Sequence, residues 1–537
     1  MPGEPETVRA VMRDGTVLCA DVRRPRGGGP WPVLLARTPY GRRDPGVLAR
    51  LDPAAALRRG FLVVVQDVRG RGDSGGVWEP LVHEREDGHD TVRWAARLPG
   101  SDERVAMYGP SYLGHTQWAA IAAGPPELAA AVPEFTWADP RDGLVARGGA
   151  AERGLLAQWT LGLGQEVLSR RHAADPVERA RALRELDRAR DGLAAGGWEP
   201  TVLRSLPLPA RPGGPPLPCV PADHTGLAVP TLTVAGWYDA FLQGSLDNHL
   251  AARAAGVTAA LVVGPWTHDD RTGRFPARDF GPAAGEAALA GGPSLRERTL
   301  EWLASVLARP STVASEEGRA AALVFFMGAD EWRRLDAWPP PAVPTALYLR
   351  AGGGLTAGAP DAGEPGASFR HDPADPVPTR GGPLLLTAGY PAGPADQREV
   401  EARRDVLVHT GGPLAAPLEV AGRVRATLFA AAEAGPADWV VRLCDVAPDG
   451  TSRVLTDGVL RVRPEGGHGA RELDVDLWST AHVFRRGHRV RLHVAASSHP
   501  RWDVAGPPGA RTVFRDAACP SRLVLPVTAG APRTVTA

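Results

Sequence analysis

The sequence predicts an α/β core that is interrupted by a helical insertion and followed by an all-β sandwich of jelly-roll type. Three observations carry this reading. At 537 residues the chain exceeds what one hydrophobic core serves, so two or three domains are expected. Up to about residue 338, apolar β-prone runs alternate with helix-spaced segments, the order that builds a parallel sheet. From about Pro339 the helical signal vanishes and short alternating runs recur between turn signals. The shifts divide the chain into a core segment 1–138, a helical insertion 139–225, a returning core segment 226–338 and a β unit 339–537.

Taken in order, residues 7–37 hold three strands, Val8–Met12, Val17–Val22 and Val33–Arg37, separated by the turns Asp14-Gly15 and Gly27-Gly28-Gly29. A short helix ends at Gly60, and Phe61–Gln66 reads as a strand buried on both faces. Residues 84–98 carry helical spacing and stop at Pro99-Gly100. The next strand, Val105–Tyr108, arrives at Gly109-Pro110-Ser111, and a helical pattern leaves through Tyr112, Gln117, Trp118 and Ile121.

Within the insertion, Gly154–Arg170 is helix-like, and Asp175-Pro176 is an N-cap and N1 pair for a second helix with a solvated Arg/Glu face. Leu206–Pro216 is a stiff Pro-rich connector. The sheet resumes at Pro230–Asp239 and Ala259–His268. Ser294 with Glu297 forms a capping box, and Ala321–Met327 is a last strand. In the β unit the Gly- and Pro-rich segment Pro339–Asp375 precedes the runs Leu384–Leu386, Val406–Val408, Val424–Leu428, Trp439–Leu443, Val490–Val494 and Leu523–Leu525. Asp449-Gly450 and Arg486-Gly487 stand at hairpin positions.

Composition narrows the partners. Formal net charge is zero, so nothing favours nucleic acid or an acidic surface. All 61 Lys+Arg residues are arginine, which together with abundant Ala, Gly and Pro reads as a nucleotide-composition bias. Met1–Arg13 lacks the apolar core of a signal peptide and no long apolar run follows, so a cytoplasmic location without a membrane partner is expected. The oligomeric state is left open, a homodimer included. Cys19, Cys219, Cys444 and Cys519 form no C-x-x-C pair. They read as buried thiols, and neither a metal nor an organic cofactor is implied.

Strand, turn with Ser111 at its tip, and helix is the context of a nucleophile elbow. The turn lifts the hydroxyl above the sheet, while the helix N-terminus offers N–H groups to a developing oxyanion. Here Leu113 holds the last glycine position of G-x-S-x-G and Gly114 follows, a pattern that ordinary turns also carry. Two further polar residues end strands, Asp239 and His268. The order Ser111, Asp239, His268 is that of α/β-hydrolases, with serine as nucleophile, histidine as proton carrier and aspartate as its orienter. Ser245, Asp247 and His249 form a rival set on a helix, where i and i+2 side chains diverge. Gly70, Gly72 and Gly75 spell G-x-G-x-x-G, but the residues after them, Gly76–Pro80, read as loop where a dinucleotide site needs a helix.

These motifs resemble the cocaine esterase / X-Pro dipeptidyl-peptidase-like (CocE/NonD) family. The similar segments are Arg37–Gly41, Asp67–Gly76, Glu86–Trp94, Gly109–Gln117, Gly236–Asp239, Gly264–His268 and Met327–Trp332, with Asp405–Thr410, Asp438–Leu443 and Phe484–Leu492 in the β unit. The resemblance implies an α/β-hydrolase core, a helical cap and a C-terminal jelly roll beside the active site. It also implies an oxyanion hole made by the Tyr112 N–H and the Tyr40 hydroxyl; without it, Tyr40 is a turn tyrosine in Thr38-Pro39-Tyr40-Gly41.

Trp137, Trp159, Phe241 and Trp266 are pocket candidates, each of which also fits a core position. No acidic residue follows Ser111 as a reader of a free amino terminus would need, and Asp269 and Asp270 are unplaced. A small neutral ester or amide is therefore the favoured substrate. The alternatives are transfer of the acyl group to an amine or alcohol, X-Pro dipeptidyl-peptidase activity, and, from another class, a jelly-roll binding protein with an inert core.

Overall fold

The computed structural model describes residues 4–194, 222–308, 322–386, 389–463 and 469–528. Ten strands form the first sheet: β1 (Glu6–Val11), β2 (Val17–Arg23), β3 (Trp31–Thr38), β4 (Leu62–Asp67), β5 (Ser101–Pro110), β6 (Leu128–Glu134), β7 (Thr231–Gly236), β8 (Ala259–Gly264), β9 (Ala322–Phe326) and β10 (Glu331–Leu335). Their order across the sheet is β1-β2-β4-β3-β5-β6-β7-β8-β9-β10. Only β2 and β10 run against the parallel remainder. Helices α1 (Pro45–Leu51), α2 (Pro53–Arg58), α3 (Glu84–Ala96), α4 (Tyr112–Ala123), α7 (Leu242–Ala254) and α8 (Leu295–Leu307) accompany it. Helices α5 (Arg153–Arg171) and α6 (Pro176–Ala194) belong to the insertion.

The two-residue period of a strand feeds two cores at once. Val33 and Leu35 of β3 pack with Val92 of α3 and Trp118 of α4 on one face. Leu34 and Ala36 pack with Leu51 of α1 and Leu303 of α8 on the other. Every residue of β4 and of β7 is buried, so their apolar runs are continuous rather than alternating. Helix α1 buries Val47 and Leu51, one turn apart, and is started by Asp44, whose carboxylate accepts the Val47 N–H at 3.0 Å. Ser294 and Glu297 close the expected capping box of α8.

The chain leaves the sheet after Glu134 and returns at Thr231. Between them α5 and α6 share an apolar cluster with Trp137, Phe241 and Leu384. The Asp175 carboxylate caps α6 through the Glu178 N–H at 3.0 Å. The Leu206–Pro216 connector lies outside the described residues.

The C-terminal unit is all-β, and among the described residues its strands pair antiparallel except at Gly354 beside Thr410. It buries Val420, Trp439, Val441, Val475 and Leu492 in a core of its own. Three local readings are corrected. Ala342–Arg350, in the Gly- and Pro-rich stretch, is a strand because Arg522–Thr528 pairs with it. Leu384–Leu386 is not a strand; it packs beneath the inserted helices. The Arg486-Gly487 turn is not a hairpin: Arg471–Phe484 pairs with Leu418–Ala432, whereas Arg489–Ala495 pairs with Val406–Thr410 and Ala437–Val446. At Asp449-Gly450 the flanking strands do pair, and Gly450 supplies φ +86°.

The two units meet across apolar surface, with Trp478 and Ala481 joining the cluster under β7 and β9. Met327 and the strand Arg471–Phe484 exchange backbone hydrogen bonds of 3.0 and 2.8 Å.

Candidate active site

Ser111 sits between the last residue of β5 and the first of α4, at φ 62° and ψ −125°. For a residue with a Cβ this backbone costs on the order of 1–3 kcal/mol, so the surroundings must impose it. They do: the Ser111 N–H donates to Glu134 O at 2.9 Å, and the Ser111 carbonyl accepts from Gly114 N (2.9 Å) and His115 N (3.1 Å). The shifted glycine also has its reason. Leu113 lies against Gly109, whose added Cβ would stand 2.9 Å from the Leu113 Cβ. A Cβ on Gly114 would stand 2.7 Å from that of Thr136. Both glycines are required by close approach, one to the helix and one to the neighbouring strand end.

Asp239 follows β7 and His268 follows β8, adjacent parallel strands. Asp239 Oδ1 lies 2.8 Å from His268 Nδ1, and Asp239 Oδ2 accepts the Phe241 N–H at 3.1 Å. Both side chains are buried. A carboxylate only accepts, so Nδ1 carries the proton and Nε2 keeps its lone pair. The rings of Phe241 and Phe135 stand edge-on to the imidazole, with centroids 5.3 and 6.2 Å away.

Tyr40 follows β3. Its hydroxyl is in hydrogen-bond contact with the side chains of Trp159 and Ser111, and burial pushes its ionisation above the ordinary phenol range, which keeps it a donor. The Tyr112 side chain turns to Glu84, donating to Oε1 at 2.9 Å and accepting the Leu81 N–H at 2.9 Å. At the elbow it presents its backbone N–H, which in the first turn of a helix has no intrahelical partner.

Ser111, His268 and Tyr40 line one cavity of about 860 Å³. Trp137, Trp159 and Phe241 line it too. Trp266 does not. Its indole N–H donates to Ala284 O at 2.8 Å and its ring packs on Trp332, because the chain turns inward immediately after β8.

The cavity also includes residues without a local sequence signal, among them Asp44, Arg50, Arg71, Gln158 and Glu166. Its acids are engaged. Asp44 caps α1, Glu166 accepts from Gly72 N and Arg71 at 2.7 Å each, and Asp269 pairs with Arg50 at 2.6 Å. Asp270 turns to Thr272.

The remaining motifs resolve as structure. A Cβ on Gly70 would meet Trp78 N at 2.1 Å and one on Gly72 would meet Asp67 Oδ2 at 2.1 Å. These glycines let a loop fold tightly, and the next helix begins only at Glu84, so the dinucleotide reading falls. Ser245 exchanges hydrogen bonds with the Thr136 backbone, while Asp247 turns to Gln243 and Arg423. That rival set does not converge. Cys19, Cys444 and Cys519 are free thiols, and Cys219 lies outside the described residues. Glu401, Cys444 and His493 bring three metal-type ligand atoms within 4.8 Å of one another in the β unit. Arg491 already holds Glu401 at 2.5 Å, and the buried Arg442 acts on both Cys444 and His493, charges that oppose a cation.

The sequence profile of the X-Pro dipeptidyl-peptidase (S15) family matches residues 14–270, and that of the X-Pro dipeptidyl-peptidase C-terminal non-catalytic domain matches residues 310–524. A cocaine esterase of Rhodococcus is 35% identical over 542 residues, spanning 92% of this chain and 91% of the relative. A Mycobacterium bovis protein named as a serine esterase is 26% identical over 613 residues, spanning 96% and 94%. The crystal structure of an aminopeptidase from a marine-sediment Thaumarchaeota archaeon superimposes with TM-score 0.75 at 25% identity, covering 98% of this chain and 96% of its own. Among the described residues, no helix is long and apolar enough to cross a membrane.

Proposed function

Because the chain belongs to the cocaine esterase / X-Pro dipeptidyl-peptidase-like (CocE/NonD) family and is a serine hydrolase, we propose that it cleaves a small-molecule carboxylic ester or amide through an acyl-enzyme on Ser111. The observation that carries the assignment of residues is the 2.8 Å His268–Asp239 pair at the edge of the cavity that Ser111 and Tyr40 share.

Ser111 Oγ attacks the carbonyl carbon as its proton passes to His268 Nε2. Asp239 holds the ring in the tautomer that can accept this proton and steadies the imidazolium formed. The carbonyl oxygen, now carrying the negative charge, takes hydrogen bonds from the Tyr40 hydroxyl and the Tyr112 N–H. One such donor is worth roughly 10²–10³ in rate. The bond to the leaving group breaks as His268 returns the proton to it, leaving an ester on Ser111. Water, deprotonated by His268, then releases the acid and restores the hydroxyl.

A neutral acyl group is favoured over a free amino terminus. The cavity's carboxylates are each bonded to an arginine or a backbone N–H, whereas Trp137, Trp159 and Phe241 offer apolar surface. The esterase name of the Rhodococcus relative supports the ester over the amide. The non-catalytic description of the C-terminal profile gives no support to an active β unit on an inert core.

The test is nitrophenol release from short-chain acyl esters by the wild type and by Ser111→Ala, with an X-Pro anilide in parallel. Ester turnover that vanishes in the variant supports the reading. Cleavage of the anilide moves the substrate to peptides. A burst followed by stalling makes acyl transfer the reaction, and turnover retained by the variant overturns the assignment.

A further inference from the structure

The loop that carries His268 is fastened on both sides by charged groups outside the triad. On one side Arg50 of α1 donates to the His268 carbonyl at 3.3 Å and pairs with Asp269 at 2.6 Å. On the other side Arg271, three residues after the histidine, reaches Glu134 at 3.0 Å and Glu286 at 3.3 Å. Arg296 of α8 joins the two sides, approaching Glu134 at 3.4 Å and donating to the Arg50 carbonyl at 2.5 Å. Glu134 is only 1% exposed and ends β6, and its own carbonyl accepts the Ser111 N–H at 2.9 Å. The Arg271 guanidinium lies 4.2 Å over the Phe135 ring, which also packs edge-on to His268 with centroids 6.2 Å apart.

We propose that Glu134 is a positioning residue of this site: it ties the nucleophile's strand to the histidine's loop and balances the arginines that fasten that loop. This rests on the reading of His268 as the general base. Asp239 belongs to the imidazolium itself. Arg50, Arg271 and Arg296 then face Asp269, Glu134 and Glu286, while Asp270 caps its own turn and Arg71 is matched by Glu166 across the cavity. Burial alone would raise the Glu134 carboxyl, but Arg296 and Arg271 hold it below the usual range, so it is ionised whenever the enzyme works. Removing this one buried negative charge leaves an excess positive charge beside His268 and frees the loop.

The experiment is the pH profile of kcat/KM for a nitrophenyl ester, with melting temperatures, for Glu134→Gln, Glu134→Asp, Arg271→Met and the double variant Glu134→Gln/Arg271→Met. Glu134→Gln is expected to lower kcat roughly 10- to 100-fold at nearly unchanged KM, the scale of a displaced catalytic group. Its acid limb should move down by about half a unit or more, because excess positive charge disfavours the imidazolium. Arg271→Met should move the limb the opposite way, and the double variant and Glu134→Asp should lie near the wild type. Should Glu134→Gln fail to fold, the upward shift in Arg271→Met decides alone. A lowered melting temperature with an unmoved acid limb in both single variants would reduce Glu134 to a structural role. Loss of activity in Ser111→Ala alongside an unaffected Glu134→Gln would sink this inference and leave the triad standing, whereas an active Ser111→Ala removes the premise.

Discussion

The floor and the roof of the cavity are held by different forces. The floor, Ser111, Asp239 and His268, stands on the ends of β5, β7 and β8 of one sheet, with Asp239 and His268 buried and Ser111 half-buried at the cavity. The roof is helix α5 of the insertion. It is latched to the loop 70–76 by Glu166 on Arg71 and Gly72, and by Arg170 on the Ser74 carbonyl at 2.7 Å. The side chains of Glu166 and Arg170 are 33% and 37% exposed, so water and salt weaken these contacts. The difference teaches that the proposed triad sits on the ends of hydrogen-bonded strands, whereas the wall opposite combines the apolar packing of α5 with polar latches that are each small enough to yield.

The predictions sharpen this contrast, beginning with the floor. Ser111→Ala should abolish ester turnover, by roughly 10⁴-fold or more, with an unchanged melting temperature. Tyr40→Phe removes one donor and should lower kcat by roughly 10²–10³ while KM changes little. Acid should act on buried histidines far from the cavity. His249 and His409 are each 1% exposed, and burial lowers both from 6.5 to about 4. Below pH 6.5 the unfolded chain takes up protons that the native state refuses, so stability present above that pH is lost as pH falls toward 4. The full loss is about 3 kcal/mol per histidine, and denaturant melts across that window would show it. Gly114→Ala places a methyl against Thr136 and should destabilise by about 1–3 kcal/mol, readable in the same melts. Smallest is the roof: Glu166→Ala should cost at most about 1 kcal/mol, alter KM severalfold, and lose its effect in high salt. A larger loss of kcat from Glu166→Ala than from Tyr40→Phe would break the division between floor and roof.

How much of the site was legible follows from how local each signal is. The elbow was readable because strand, serine and helix are consecutive. Asp239 and His268 were readable because each ends an apolar run. Tyr40 was legible only through the family resemblance, since by itself Thr38-Pro39-Tyr40-Gly41 reads as a turn; the fold brings Ser111 and Trp159 to its hydroxyl. Trp266 and Trp137 look alike along the chain; only the inward turn after β8 sends the first into the core and leaves the second on the cavity wall. Arg71 was hidden in a glycine-rich loop whose partner, Glu166, lies on the inserted helix. The β unit misled in the same way. The Arg486-Gly487 turn is real, but its flanking strands choose other partners, and Ala342–Arg350 becomes a strand through Arg522–Thr528.

By itself the sequence determined the alternation of strands and helices, the order Ser111, Asp239, His268, the capping of α6 and α8, and the change to an all-β unit. All of these are periodicities or neighbour effects within a few residues. Tertiary structure alone decided the order of the strands, the placement of Tyr40 beside Ser111, the engagement of each acid in the cavity, and the joining of Glu134 to Arg271 across 137 positions of chain. Such choices depend on which side chains become buried together, and burial sets the cost of every unpaired charge and hydrogen bond. A linear pattern does not hold that information, because it exists only once the chain has closed on itself.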